Sequence, residues 1–188
     1  MISIVFKEEG GIIVDRQFYN QYYDLVYKYI LFTTHDEQLT HDLLQETFFK
    51  FFKQSITMIS NEQAYLLRIA RNLIYDHFRK KRLIQFFTLK EDTRIDDAPL
   101  PDCILIQEEI STTLYKALQQ IPFKQREVIV LRYIEEFTVK ETAHILKCNE
   151  TRVKNDTARG LKTLRNLLEG GELDGRAKVE ETTKHLSK

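Results

Sequence analysis

From Ala64 to Arg82 the chain reads AYLLRIARNLIYDHFRKKR, nineteen residues without a glycine or a proline. At about 100° per residue, Leu66, Ala70, Leu73, Ile74 and His77 fall on one side of a helix. Arg68, Arg71, Asn72, Tyr75, Arg79 and Arg82 gather on the other, with Phe78 at the edge. An apolar stripe of that kind is stable only when packed against other elements, so one such helix demands more. His77 on the apolar side reads as a core histidine. The same helical spacing recurs along the chain, and period-two alternation is scarce. The fold class predicted is all-α.

The remaining helices are bounded by their own signals. A first runs from about Asp15 to Thr33 and is rich in aromatics, FYNQYYDLVYKYILF. A second runs from about Glu37 to Gln54. After the long third helix, FFTLKEDTRIDDAPLPDCILIQ holds two of the three prolines and a cluster of acids, which reads as a linker. Glu109 to Ile121 is helical, Pro122 punctuates, and Lys124 to about Glu135 is helical again. Thr138-Val-Lys-Glu141 is a capping box before an apolar run that ends near Lys147. Asn149 can cap a last helix to about Leu168. This predicts two small helical domains, 15–85 and 109–169, joined by a flexible acidic linker, 86–108. Residues 1–14 form an N-terminal extension, and the tail 170–188 reads as frayed.

Composition excludes several classes. At 43% hydrophobic and 30% charged residues the chain is a globular protein. Its apolar runs are too short to cross a bilayer, and MISIVFKEEGG is broken by charge too early for a signal peptide. The default expectation is a cytoplasmic protein. Cys103 and Cys148 make no CxxC pair, so neither a zinc site nor a disulfide scaffold is suggested. There is no glycine-rich phosphate loop, nucleophile elbow or metal-ligand spacing. His35-Asp36, His41-Asp42 and Asp76-His77 are adjacent pairs, which diverge on a helix. No catalytic residue, metal, cofactor or small-molecule substrate is expected.

The zero net charge conceals segregation. Residues 66–82 carry six cations and one acid, 83–113 two cations and seven acids, and 149–165 five cations and two acids. Two basic islands flank an acidic connector, which is a statement about partners. On the third helix, cations interleaved with Tyr75 and Asn72 suit phosphates and unpaired bases, although a basic helix end facing its own dipole would look similar. On the second helix, Leu44, Phe48, Phe51 and Phe52 form the core stripe. Asp42, Gln45, Glu46, Phe49 and Lys53 share the other face, either a protein-docking patch or a surface covered by the first helix. The capped pair TVKETAHILKCNETRVKNDTARGLKTL has helix-turn-helix dimensions. Val153, Thr157, Gly160 and Leu164 point inward. Arg152, Asn155, Arg159 and Lys162 form an outward stripe with Lys154 nearby, and Arg152 and Asn155 suit guanine and adenine edges.

DLLQETFFKFFK, AYLLRIARNLIYDHFRKKR and ALQQIPFKQREVIVLRYIEEFTVKETAHILKCNETRVKNDTARGLKTLR occur here in an order that resembles bacterial RNA polymerase sigma factors. The size and short linker resemble the extracytoplasmic-function (ECF) group of the sigma-70 family, which keeps regions 2 and 4. The resemblance covers about Asp15 to Leu168. It implies that Asp42, Gln45, Glu46 and Phe49 dock on the β′ clamp helices of core RNA polymerase. It implies that Arg68, Arg71, Asn72, Tyr75, Arg79, Lys80 and Arg82 melt and hold the single-stranded minus-ten element, and that the loop SITMISNE captures a flipped base. Arg152, Lys154, Asn155, Arg159 and Lys162 would then read the minus-thirty-five duplex. The FKQREVIVLRY helix would contact the β flap, and the acidic linker would lie in the RNA-exit path. An anti-sigma factor, often membrane-bound in this family, is an expected partner. It would clamp between two domains that are mobile in isolation.

Three departures from the family pattern stand out. Lys147 occupies a turn position that is often glycine, Thr157 one that is usually leucine, and Asp156 brings negative charge near DNA. Two other readings fit parts of the sequence: a helix-turn-helix repressor or activator acting as a dimer, and an adaptor that binds polymerase but not DNA.

Overall fold

The computed structural model describes residues 5–6, 12–13, 16–53, 61–87 and 112–185, with side chains described over 16–53, 61–81 and 112–169. The expected linker and nearly all of the SITMISNE loop lie outside the described residues. Among the described residues two short strands precede seven α-helices: β1 (Val5–Phe6), β2 (Ile12–Ile13), α1 (Arg16–Thr34), α2 (Glu37–Lys53), α3 (Glu62–Phe87), α4 (Thr112–Gln120), α5 (Phe123–Ile129), α6 (Val139–Leu146) and α7 (Glu150–His185). The strands pair antiparallel, Val5 with Ile13 and Phe6 with Ile12, in the extension for which the sequence suggested no structure.

The helix boundaries follow from local chemistry. Asp36 caps α2 through a 2.9 Å bond from the Leu39 amide, and Asn61 caps α3 through a 2.9 Å bond from Ala64. The capping box forms at α6, where the Thr138 amide and hydroxyl donate to the Glu141 carboxylate at 2.8 and 2.7 Å. In return the Glu141 amide donates to the Thr138 hydroxyl, and these bonds lower the Glu141 pKa. Lys147 closes α6 in the left-handed region (φ 50°, ψ 49°), and Asn149 caps α7.

Two boundaries differ from the sequence reading. The helix expected over 124–135 is α-helical only to Ile129, then widens into a π turn over Val130–Ile134. There the Glu135 amide bonds to the Val130 carbonyl and the Phe137 amide to the Leu131 carbonyl. The tail is not frayed after Leu168, because α7 continues to His185. Glycines at 170, 171 and 175 cost about 1 kcal/mol each relative to alanine, and Glu172 and Leu173 between them and Arg176, Ala177 and Lys178 after them are good helix formers.

Packing explains an oddity of α1. Tyr29, Ile30, Leu31, Phe32 and Thr33 are consecutive and all buried, which a helix with one apolar stripe cannot achieve. The segment is sandwiched, with α2 and α3 on one side and α4 and α5 on the other. Phe32 and Tyr115 meet edge to face at 5.7 Å, and Tyr115 also lies 4.6 Å from the His35 ring. Arg126 of α5 donates to the Thr33 carbonyl and to His35 Nδ1, both at 2.9 Å, and to the carbonyls of Gln119 and Ile121. One guanidinium thus serves the carboxyl ends of two helices. Burial lowers its pKa to about 10, so it stays charged at neutral pH. His35 is held neutral, its pKa lowered to about 3 by burial and by Arg126. The two domains therefore share one continuous core, from Tyr22 on α1 to Val153 on α7. In this structure the two helical groups pack against each other.

Candidate nucleic-acid and protein-docking interface

On α2 the expected stripe is inside, with Leu44 and Phe48 buried and Phe51 and Phe52 half-buried. Asp42, Gln45, Glu46 and Phe49 all lie exposed on the opposite face, and Phe49 keeps 49% of its surface accessible. α1 does not cover Phe49. Lys53 lies 5.8 Å from the centre of its ring, and Lys50 pairs with Glu46 at 3.0 Å. An aromatic ring among exposed acids and lysines is the character of a protein contact.

On α3, Leu66, Ala70, Leu73 and Ile74 are buried as the spacing requires. His77 is not a core residue: it is half-buried, with its ring edge-on to Phe78 at 5.7 Å. Asn72, Arg79, Lys80 and Lys81 are exposed, and Arg79 pairs with Asp76 at 3.0 Å. Arg68 is half-buried and its Nε has no hydrogen-bond partner. Arg82 continues the helix, but its side chain lies outside the described residues.

Arg71 and Tyr75 depart from the expected open surface, because α5 covers them. Arg71 Nε donates to Glu127 Oε1 at 2.7 Å, and the Arg71 guanidinium lies 4.4 Å from the Tyr75 ring centre. The Tyr75 hydroxyl donates to Glu127 Oε2 at 3.2 Å, and the Tyr29 hydroxyl donates to Oε1 at 3.0 Å. Phe123, one turn before Glu127, meets Tyr75 edge to face at 5.2 Å and Phe78 at 5.5 Å. The side chains of Arg71 and Glu127 are 17% and 3% exposed. Burial raises the Glu127 pKa, against the opposing pull of Arg71 and the hydrogen bonds from Tyr29, Arg71 and Tyr75. A buried carboxylate with three donors is satisfied, and removing any donor would leave a costly charge.

The sequence reading missed Glu127, Phe123, Arg126 and Tyr29. The signal was present in REVIVLRY, where a carboxylate sits in an apolar run four residues before the buried Leu131. A charge at such a position needs a buried partner.

On α7, Arg152, Lys154, Asn155, Arg159 and Lys162 are all exposed, while Val153 and Gly160 are buried. A Cβ added at Gly160 would stand 2.7 Å from Ile129 Cδ1 and 3.3 Å from Gln125 Cβ, so this glycine lets α7 lie close on α5. Asp156 lies 3.4 Å from Arg152 Nε, so its charge meets a cation of the same helix. Thr157 is half-buried and its hydroxyl has no partner, a poorer anchor than an apolar side chain. Among the described residues no cluster of metal-ligating side chains occurs, and no helix is long and apolar enough to cross a membrane.

Two family models match these two helical groups: Sigma-70 region 2 over residues 18–84 and Sigma-70 region 4 over residues 111–164. The chain is 36% identical over 159 residues to the ECF RNA polymerase sigma factor SigX of Bacillus subtilis, covering 80% of this chain and 81% of that protein. It is 30% identical over 162 residues to SigM of the same organism, covering 82% and 95%. Among solved structures, the sigma factor RpoE of Bartonella quintana, crystallised with the anti-sigma factor NepR, has the same fold. Its TM-score is 0.69 at 24% identity, covering 82% of this chain and 96% of that one.

Proposed function

Because the chain belongs to the ECF sigma factors of the sigma-70 family, we propose a division of labour among its three surfaces as it directs core RNA polymerase to promoters. The observation that supports this most is the separation of three exposed chemistries on three helices: an acid-and-phenylalanine face on α2, a cationic face on α3 and a cation-amide stripe on α7. Asp42, Gln45, Glu46 and Phe49 engage the β′ clamp helices. Arg68, Arg71, Asn72, Tyr75, Arg79, Lys80 and Arg82 hold the unpaired minus-ten strand, with cations on phosphates and Tyr75 against a base. Arg152 and Asn155 read base edges of the minus-thirty-five duplex, while Lys154, Arg159 and Lys162 fix the register on phosphates.

The chemistry is binding, and the reaction belongs to the polymerase. A dimeric helix-turn-helix regulator would leave the region 2 match and the α2 face without a role. RpoE was solved with an anti-sigma factor, and the proposal extends a partner of that kind to this chain, with Phe49 in its footprint. Run-off transcription on fragments of host DNA tests the reading. Core polymerase with the chain should yield discrete transcripts that core polymerase alone does not. No transcript on any fragment, with complex formation verified by gel filtration, would overturn it.

A further inference from the structure

We propose that the docking face of α2 is electrically two-ended and that Lys53 is a specificity contact within it. The partner surface it fits is an apolar socket for Phe49, flanked by a cation on the Asp42 side and a carboxylate on the Lys53 side. The proposal rests on the reading of α2 as the polymerase-docking helix and names what that face selects. Glu37, Asp42 and Glu46 precede Phe49, Lys50 and Lys53 follow it, and all six are exposed. At about 100° per residue, Asp42, Phe49 and Lys53 fall within about 40° of one another, so they form one row along the helix. The helical rise sets Asp42 about 10 Å to one side of the ring and Lys53 about 6 Å to the other. Lys50 is paired with Glu46 at 3.0 Å, whereas among the described residues neither Asp42 nor Lys53 forms an ion pair. Lys53 lies 5.8 Å from the centre of the Phe49 ring, so its charge belongs to the rim of the aromatic contact.

Acids at the start of a helix and lysines at its end suit the helix dipole, so folding tolerates this order. The same order decides what can dock. A uniformly basic surface would meet Lys53 as a like charge beside the ring to be buried, and like charges brought together at an interface are costly. A helix laid antiparallel to α2 removes the conflict. With acids in its first turns and cations in its last, it brings a cation to Asp42 and a carboxylate to Lys53, with the two dipoles opposed. Phe49 then enters the middle of the contact, where buried aromatic anchors contribute most. One row of three side chains thereby selects both the charge pattern of the partner and its direction.

The test titrates core polymerase into the fluorescently labelled full-length chain, at about 0.1 M and about 0.5 M salt. The variants are Lys53→Glu, Lys53→Gln and Asp42→Lys, each checked for an unchanged melting temperature. Lys116→Glu on α4, also exposed, makes the same change in net charge away from α2. At the lower salt, Lys53→Glu and Asp42→Lys should each weaken binding about fivefold or more, although they change the charge in opposite directions. Lys53→Gln should weaken it less, Lys116→Glu should not change it, and the differences should shrink at the higher salt. Lys53→Glu binding as tightly as the wild type, or more tightly, would overturn the proposal, since the partner would then be uniformly basic or out of reach of Lys53. An equal loss in Lys116→Glu would overturn it too, because net charge would then be the cause. Failure of the wild type itself to bind core polymerase is a distinct result, which would overturn the docking reading and this inference with it.

Discussion

Lys147 shows at the scale of one residue how a departure from a family pattern becomes a measurable cost. Its side chain is exposed and its backbone is left-handed, a geometry that glycine adopts without strain. Lys147→Gly should raise stability by about 0.5–1 kcal/mol, read as a higher denaturation midpoint at unchanged slope. A lower midpoint would mean that the lysine makes a contact worth more than the strain. Glu135 gives a pH-dependent case. Burial raises its pKa to about 7, with Asp24 adding to the shift and Lys28 opposing it. A raised carboxyl pKa means that the fold prefers the protonated form, so the stability Glu135 contributes is complete below about pH 4.5 and is lost as pH rises through about 7. Glu135→Gln should therefore be more stable than the wild type at pH 8, and the difference should vanish near pH 4. An equal difference at both pH values would show that ionisation of Glu135 is not its source.

At the scale of elements, the exposed faces of α2 and α7 should fail independently. Gln45 and Glu46 are exposed and remote from the buried Leu44 and Phe48, so replacing both with alanine should weaken core polymerase association without lowering the melting temperature. Unchanged polymerase affinity would remove α2 from the docking assignment. Arg152→Ala should leave polymerase association intact and relax base preference in the upstream element, at about 1–3 kcal/mol for a lost bidentate contact. The caps and stripes behind these faces were legible in sequence because they are local: a capping box at Thr138–Glu141, a capping Asn149, and Val153 and Gly160 at helical spacing. What escaped was non-local. The α3–α5 contact joins residues 56 apart in sequence, and no periodicity within either helix announces a partner at that distance. The π turn escaped for a similar reason, since its wide hydrogen bonds arise where Val130 and Leu131 are locked into a shared core. The continuation of α7 was obscured by glycines that punctuate in short segments and are tolerated in long helices.

For the whole molecule, neutrality overall combined with segregated charge makes the partner the source of affinity. Residues 149–165 carry only five cations against two acids, and a handful of ionic contacts gives weak binding at physiological salt. Arg71 and Tyr75 are also engaged by Glu127, which leaves less of α3 available. Specific promoter recognition should therefore appear only when core polymerase holds the two regions at the spacing of the two promoter elements. The most direct measurement is the affinity of the chain for its promoter duplex, at physiological salt, with and without core polymerase, against a scrambled duplex. The chain alone should bind both duplexes weakly and with little preference, and the complex should bind the promoter tightly and selectively. Tight, sequence-specific binding by the chain alone would contradict the sigma-factor account and favour an autonomous DNA-binding regulator.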